Sequence, residues 1–251
     1  MTVKEIYDYI DSFAPFCAQE SWDNSGLLVG EASNEVKSIM LCLDITKEVA
    51  CEAVEKNVSL VISHHPVIFS PLKALIPNNP AVILSAGGVS AICMHTNFDF
   101  ADDGLNDFLA KKLDLGKIID GSIENETGLG RIIELKSQTT ASDLAKKVKK
   151  SLGAKAVRLN SPEKTVKRVG VISGSGADFY KLAMEKGCDA LITGDVKHNL
   201  FIDAQNDCFS IIDAGHYYTE NIITEYLLGR LNGLAKTIFI AESNKDVTEI
   251  I

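Results

Sequence analysis

The sequence predicts an α/β protein built from two similar lobes. Three observations carry that reading. Short apolar runs alternate with stretches of helical periodicity, the order strand, helix, strand occurs twice, and one constant shift superposes the two copies without a gap. That shift carries Val36-Lys37 onto Val166-Lys167, Ala53 onto Ala183, Glu55-Lys56 onto Glu185-Lys186, and Ile62 onto Ile192. The shared pattern fits a true duplication or two βαβ units with convergent hydrophobic patterning.

Taken in order, Val3, Ile6, Tyr7, Ile10 and Phe13 have helical spacing that ends at Pro15. Residues 39–43 read as a buried strand, 46–56 as a helix capped by Thr46, and 58–63 as a second buried strand. The same order returns as 169–173, 177–186 and 188–193. Between the copies lie a strand at 131–136, a basic amphipathic helix at 142–152 and a strand at 156–159. A last helix at 220–231 precedes a strand at 237–241, which can return to the first lobe. The glycine-containing stretch 120–130 is the expected boundary, dividing a lobe of residues 1–125 from one of residues 126–251.

The chain's 251 residues, 46% of them hydrophobic, suffice for one large domain or two modest ones. A formal net charge of -9 argues against sequence-independent binding to nucleic acid or to an anionic membrane, both of which need a basic surface. A local basic pocket for a phosphate remains compatible with it. The six cysteines, Cys17, Cys42, Cys51, Cys93, Cys188 and Cys208, include no CxxC pair and mostly sit in apolar runs, so reduced core residues are expected. The first residues are charged where a signal peptide needs an apolar run, and no stretch reaches the ~18 apolar residues of a spanning helix. The expected location is the cytoplasm.

The strongest chemical signal is Ser63-His64-His65-Pro66, which puts two imidazoles where a buried strand ends, the edge at which parallel α/β sheets bind ligands. Adjacent strand residues point to opposite faces, so both rings can serve one site only if the chain turns out of the sheet there. Pro66 keeps His65 extended and favours such an exit. Alternatively the two rings serve two different ions. A second exit follows residues 89–93 and carries Met94-His95-Thr96-Asn97-Phe98-Asp99. Asp102 or Asp103 can cap the helix beginning near Gly104, which leaves Asp99 as the better ligand candidate. At a third exit, Ile211-Ile212-Asp213-Ala214-Gly215-His216, the four-residue spacing of His216 and Glu220 would stack them about 5–6 Å apart on one helical face. Each feature alone has a structural explanation, as hydrogen-bonded histidine, helix cap or first-turn acid. Together, imidazoles and carboxylates gathered at strand exits suit zinc, manganese, iron or cobalt, and two such ions ~3.5–4 Å apart would activate a bridging water. The turn Ser173-Gly174-Ser175-Gly176 could present N–H groups to a phosphate or be a tight turn, and residues 194–199, Gly-Asp-Val-Lys-His-Asn, could line the same cleft from the second lobe.

Five motifs, Ser21-Trp22-Asp23-Asn24-Ser25-Gly26-Leu27-Leu28-Val29-Gly30, His64-His65-Pro66, His95-Thr96-Asn97-Phe98-Asp99, Thr193-Gly194-Asp195-Val196-Lys197 and Gly215-His216-Tyr217-Tyr218-Thr219-Glu220, resemble a known family along essentially the whole chain. It is the family of dinuclear-metal proteins related to the yeast NGG1-interacting factor, often labelled GTP cyclohydrolase 1 type 2 homologues. The resemblance implies two α/β lobes with two divalent ions per subunit in the cleft between them, and ring-shaped homohexamers. It implies His64, His65, Asp99, His216 and Glu220 as ligands, with Glu220 able to bridge. His95 is the candidate proton carrier, and Asn24, Asp195, Lys197 and His198 are candidates to face a substrate. One departure is Asn199, where members of the family often have histidine. The implied activity is ring opening of GTP with release of formate. A metal-dependent phosphoester hydrolase and a non-catalytic metal-binding or interaction protein are the alternatives.

Overall fold

A computed structural model describes residues 1–119, 121–124 and 128–251. The boundary expected between residues 125 and 126 lies outside the described residues. The chain forms two compact units, Met1–Asp102 with Ile223–Val247, and Asp103–Ile222 with Thr248–Ile251. Among the described residues no helix is long and apolar enough to cross a membrane.

The first unit opens with helix α1 (Val3–Asp11), followed by β1 (Gly26–Val29), β2 (Ser38–Cys42), α2 (Lys47–Glu55), β3 (Leu60–Ser63), α3 (Pro80–Ala86), β4 (Ser90–Cys93) and α4 (Thr96–Phe100). A capping box starts α1: the Glu5 N–H donates to Thr2 Oγ1 at 3.3 Å, and the Thr2 N–H donates to Glu5 Oε2 at 2.7 Å. Thr46 caps α2 as predicted, accepting from the Val49 N–H. β2, β3 and β4 run parallel in register, with Ile39 opposite Leu60 and Leu60 opposite Ser90. β1 pairs with β4 antiparallel. Met40, Val61, Ala91 and Cys93 face the side chains Val49, Ala53 and Leu84 of α2 and α3, while Ile39, Leu60, Ile62 and Ile92 are buried as well. Burial on both faces is why these strands read as unbroken apolar runs.

The second unit contains α5 (Leu105–Leu113), β5 (Gly116–Ile119), β6 (Arg131–Thr140), α6 (Ala141–Leu152), β7 (Arg158–Leu159), β8 (Thr165–Val171), a 3-10 turn (Ala177–Phe179) running into α7 (Tyr180–Glu185), β9 (Ala190–Thr193), α8 (His198–Asn206), β10 (Ser210–Asp213) and α9 (His216–Glu220). β8, β9 and β10 are parallel, with Val169 opposite Ala190 and Ala190 opposite Ser210. The strand register therefore reproduces the repeat of the first unit, and antiparallel β7 flanks β10 as β1 flanks β4. The two lobes are similar α/β units. They differ at the opposite sheet edge. There the second unit adds the antiparallel pair β6 and β5, whereas the first receives the returning chain through α10 (Ile223–Arg230) and β11 (Thr237–Ile240), parallel to β2.

Three local expectations change. The helix read at 220–231 is two helices, because α9 begins earlier, behind positive-φ Gly215, and its polar and aromatic residues gave no apolar period from which to place that start. Strand 131–136 continues to Thr140 across a register irregularity. Neither Asp102 nor Asp103 caps α5: Gly104 holds the cap position with no side-chain cap bond. Of the cysteines, Cys42, Cys93 and Cys188 are buried, whereas Cys17 and Cys208 are exposed.

Candidate metal centre

In the first unit, β3 ends at Ser63 and the chain leaves the sheet at once. The N–H groups of both His64 and His65 donate to the Leu43 carbonyl, at 3.2 and 3.1 Å. This shared acceptor replaces the alternating ladder and lets two successive rings lie 5.1 Å apart, centroid to centroid. His95, two residues past the end of β4, brings its ring to 5.1 Å from His64 and 5.5 Å from His65. One ring nitrogen from each of the three lies within 4.8 Å of the others.

Each ring is held by its Nδ1. His64 Nδ1 lies 2.8 Å from the Met94 carbonyl, His65 Nδ1 lies 2.7 Å from Asp44 Oδ1, and His95 Nδ1 lies 2.8 Å from Asp23 Oδ1. A carbonyl or carboxylate oxygen can only accept, so Nδ1 carries the proton and the lone pair of each neutral ring sits on Nε2. Burial disfavours the charge on Asp23, but hydrogen bonds from His95 and Thr96 outweigh it and hold this carboxyl far below the usual carboxylate range. Asp23 Oδ2 also accepts from the Thr96 N–H and hydroxyl, fixing the start of α4. On that helix Asp99 places Oδ1 3.7 Å from His64 Nε2. The structure thus gathers His64, His65, His95 and Asp99. The Asn24 amide donates to the Ile68 carbonyl at 2.6 Å and ties two loops together.

In the second unit, Gly215 turns the chain with φ +86° and His216 and Glu220 stack on the single turn of α9. His216 Nε2 lies 2.8 Å from Glu220 Oε2, and its Nδ1 lies 2.8 Å from Asp195 Oδ2. With a carboxylate at both nitrogens, the Nε2 to Oε2 contact requires a shared proton or a shared cation. Glycines make the room. A Cβ on Gly174, where φ is +59°, would meet Glu220 Oε1 at 2.0 Å, and one on Gly194 would meet the His216 backbone nitrogen at 2.5 Å. The glycine-rich turn is therefore a clearance device: its N–H groups at Ser173, Gly174 and Gly176 already donate to Asn106, Thr219 and Thr193. Asp195, read from the sequence as facing substrate, directs its carboxylate to His216, while Lys197 and His198 stand exposed at the start of α8.

The sequence reading overlooked Asp44 and Asp23 as the groups that orient His65 and His95. The rule that nominated Asp99 would have found Asp44, which lies two residues past the end of β2. Asp23 has no such signal, because it comes from a loop far away in the chain. Four imidazoles oriented through Nδ1, with two carboxylates and no thiolate, form donor sets that could hold a zinc, manganese, iron or cobalt ion.

The chain is similar to known proteins along nearly their whole length. A "GTP cyclohydrolase 1 type 2 homolog" of Clostridium acetobutylicum is 33% identical, with 98% of this chain and 97% of that protein covered. A Helicobacter pylori protein named "GTP cyclohydrolase 1 type 2" is 40% identical, with 87% of this chain and 86% of that protein covered. Among solved structures, a Staphylococcus aureus hypothetical protein superposes with a TM-score of 0.90 at 28% identity, covering 100% of this chain and 99% of its own. The model of the Duf34/NIF3 (NGG1p interacting factor 3) family matches residues 1–246, and the chain belongs to that family.

Proposed function

We propose that this protein is a metal-dependent hydrolase of the GTP cyclohydrolase type, in which His64, His65, Asp99, His216 and Glu220 hold two divalent ions per subunit. The observation that carries the reading is the set of three converging imidazoles in the first unit, each with its Nδ1 fixed by an oxygen. Such orientation raises ligand basicity, and a nitrogen of each ring within 4.8 Å of the others is more than the hydrogen-bonding need of a buried histidine explains. The ions, when bound, would supply Lewis acidity and a nucleophilic water at neutral pH.

The chain's own part is positioning and proton transfer. His95 takes a proton at Nε2 while Asp23, ionised and hydrogen-bonded to Nδ1, stabilises the imidazolium and fixes its orientation. The same nitrogen then returns the proton as a first water adds at C8 and the C8–N9 bond breaks, leaving a formamide on N7 that a second water hydrolyses to formate and the free amine. The names of the Clostridium and Helicobacter relatives support this choice of substrate. Self-association into a ring-shaped hexamer belongs to the same reading, supported by Leu75 and Ile76, which are largely exposed in the single chain. Sedimentation equilibrium giving a monomer would remove that part.

Elemental analysis of the purified protein, followed by incubation with GTP and assay of formate, tests the proposal in two steps. Two ions per subunit are expected, fewer in His64→Ala and in Glu220→Gln, and formate release only in the loaded protein. Unchanged stoichiometry in either variant refutes the ligand assignment. Full metal content without formate, for each of the four metals, refutes the cyclohydrolase and favours the interaction protein that the family's description suggests. His95→Gln should keep its metal and lose formate release. If it loses metal instead, His95 is a ligand rather than the proton carrier.

A further inference from the structure

Resting on the hydrolase reading above, we propose that Trp22 and Phe69 form a stacking subsite for the planar purine ring of the substrate, beside His95. In a unit whose aliphatic side chains are mostly buried, these two rings are 57% and 52% exposed. They are nevertheless placed with care. Their centroids lie 6.0 Å apart, and the His95 ring lies 6.1 Å from Trp22 and 6.5 Å from Phe69.

The loops that carry them are fixed on either side of the rings. Next to Trp22, Asp23 donates its N–H to the Glu20 carbonyl at 3.0 Å and holds His95 with its carboxylate. The Glu20 N–H donates to Thr96 Oγ1 at 3.0 Å. Next to Phe69, the Ile68 carbonyl receives the Asn24 amide, so the two aromatic loops are pinned to each other and to the histidine. The loop bearing Phe69 is residues 64–79, and the repeat in the second unit has only residues 194–197 in its place. The extra chain is what supplies this ring. An exposed, preorganised aromatic pair at the rim of a polar site matches a ligand with a flat π face. A purine gains more from such a face than a sugar or phosphate does.

Trp22 is the only tryptophan of the chain, so its emission reports on this site alone. The metal-loaded, full-length protein is titrated with GTP, guanosine and inorganic tripolyphosphate, with formate assayed in parallel. Saturable quenching by GTP and guanosine, and none by tripolyphosphate, is expected. Equilibrium dialysis should show Trp22→Ala weakening GTP binding by at least about tenfold, with Trp22→Phe recovering most of it. Quenching without formate supports the subsite and refutes the cyclohydrolase. Formate release with unchanged emission, and a normal KM in Trp22→Ala, refutes the subsite and leaves the reaction standing. Absence of both signals overturns both. A Trp22→Ala protein that binds GTP normally but fails to self-associate assigns these rings to a subunit interface and also overturns the subsite.

Discussion

In the first unit, Asp44 leaves β2 and holds the ring of His65, which leaves β3. In the second unit the repeat puts Asp195 at the place of His65, and there the carboxylate is the supporter: it holds His216, which arrives from the following strand. Gly174 stands at the place of Asp44, and its missing side chain is what lets Glu220 in. The same three strand exits thus yield Asp44, His64, His65, His95 and Asp99 in one lobe, and Asp195, His216 and Glu220 in the other. A βαβαβ scaffold fixes where side chains emerge. Which exit supplies a ligand, which supplies its support and which is left empty can be exchanged.

The largest effect is expected where emptiness matters. Gly174→Ala forces a left-handed backbone on alanine, costing about 1–2 kcal/mol, and drives its Cβ onto the Glu220 carboxylate. Gly153, with φ +65° and nothing within 4 Å of an added Cβ, is the control, since Gly153→Ala carries the backbone cost alone. Gly174→Ala should lower the metal content and the Tm, and Gly153→Ala only the Tm. Equal metal content in the two variants would remove the clearance role given to Gly174.

A smaller effect tests the exchange of roles. Asp44→Asn and Asp195→Asn each leave an acceptor beside a histidine Nδ1 but withdraw its charge, so each should weaken metal binding about 10–100-fold. If Asp195→Asn raises KM for GTP and leaves metal affinity alone, Asp195 faces the substrate and the two lobes are less alike than their hydrogen bonds suggest.

Much of this comparison was legible in the sequence, because buried parallel strands announce themselves as apolar runs and their ends mark where chemistry collects. The placement of His64, His65, Asp99, His216 and Glu220 just beyond strand ends was readable for that reason. β1, β5 and α3 were not assigned. They are short, and β1 and β5 are edge strands without the unbroken apolar run of β3. The partners of the histidines were hidden for another reason. Asp23 reaches His95 from 72 residues away, and no local pattern encodes a contact of that span. The glycines of residues 173–176 were visible, but their purpose depends on Glu220, which arrives from another strand.

The smallest expected effect concerns the sheet edges, where the lobes differ most. β11 is held to the first unit partly by Glu52 on α2, whose carboxylate accepts from the Glu242 and Ser243 N–H groups at 2.9 and 2.8 Å and from Lys56 Nζ at 2.8 Å. Burial would raise the pKa of Glu52, but these hydrogen bonds prevail and bring it from 4.5 down to about 2. The folded protein therefore prefers the ionised form. The resulting stability, on the order of 3 kcal/mol, is present in full above pH 4.5 and is lost as the pH falls towards 2. Denaturant unfolding of the wild type and of Glu52→Gln should differ most near neutrality and converge in acid. Hydrogen-exchange protection at residues 237–243, taken relative to the intrinsic rate at each pH, should fall in acid before that of β5, which is held at the other sheet's edge by β6 and lacks this carboxylate. A gap between the two proteins that stayed constant from pH 6 to pH 2 would mean that Glu52 acts through packing, and that the returning strand is no more acid-sensitive than the hairpin it stands in for.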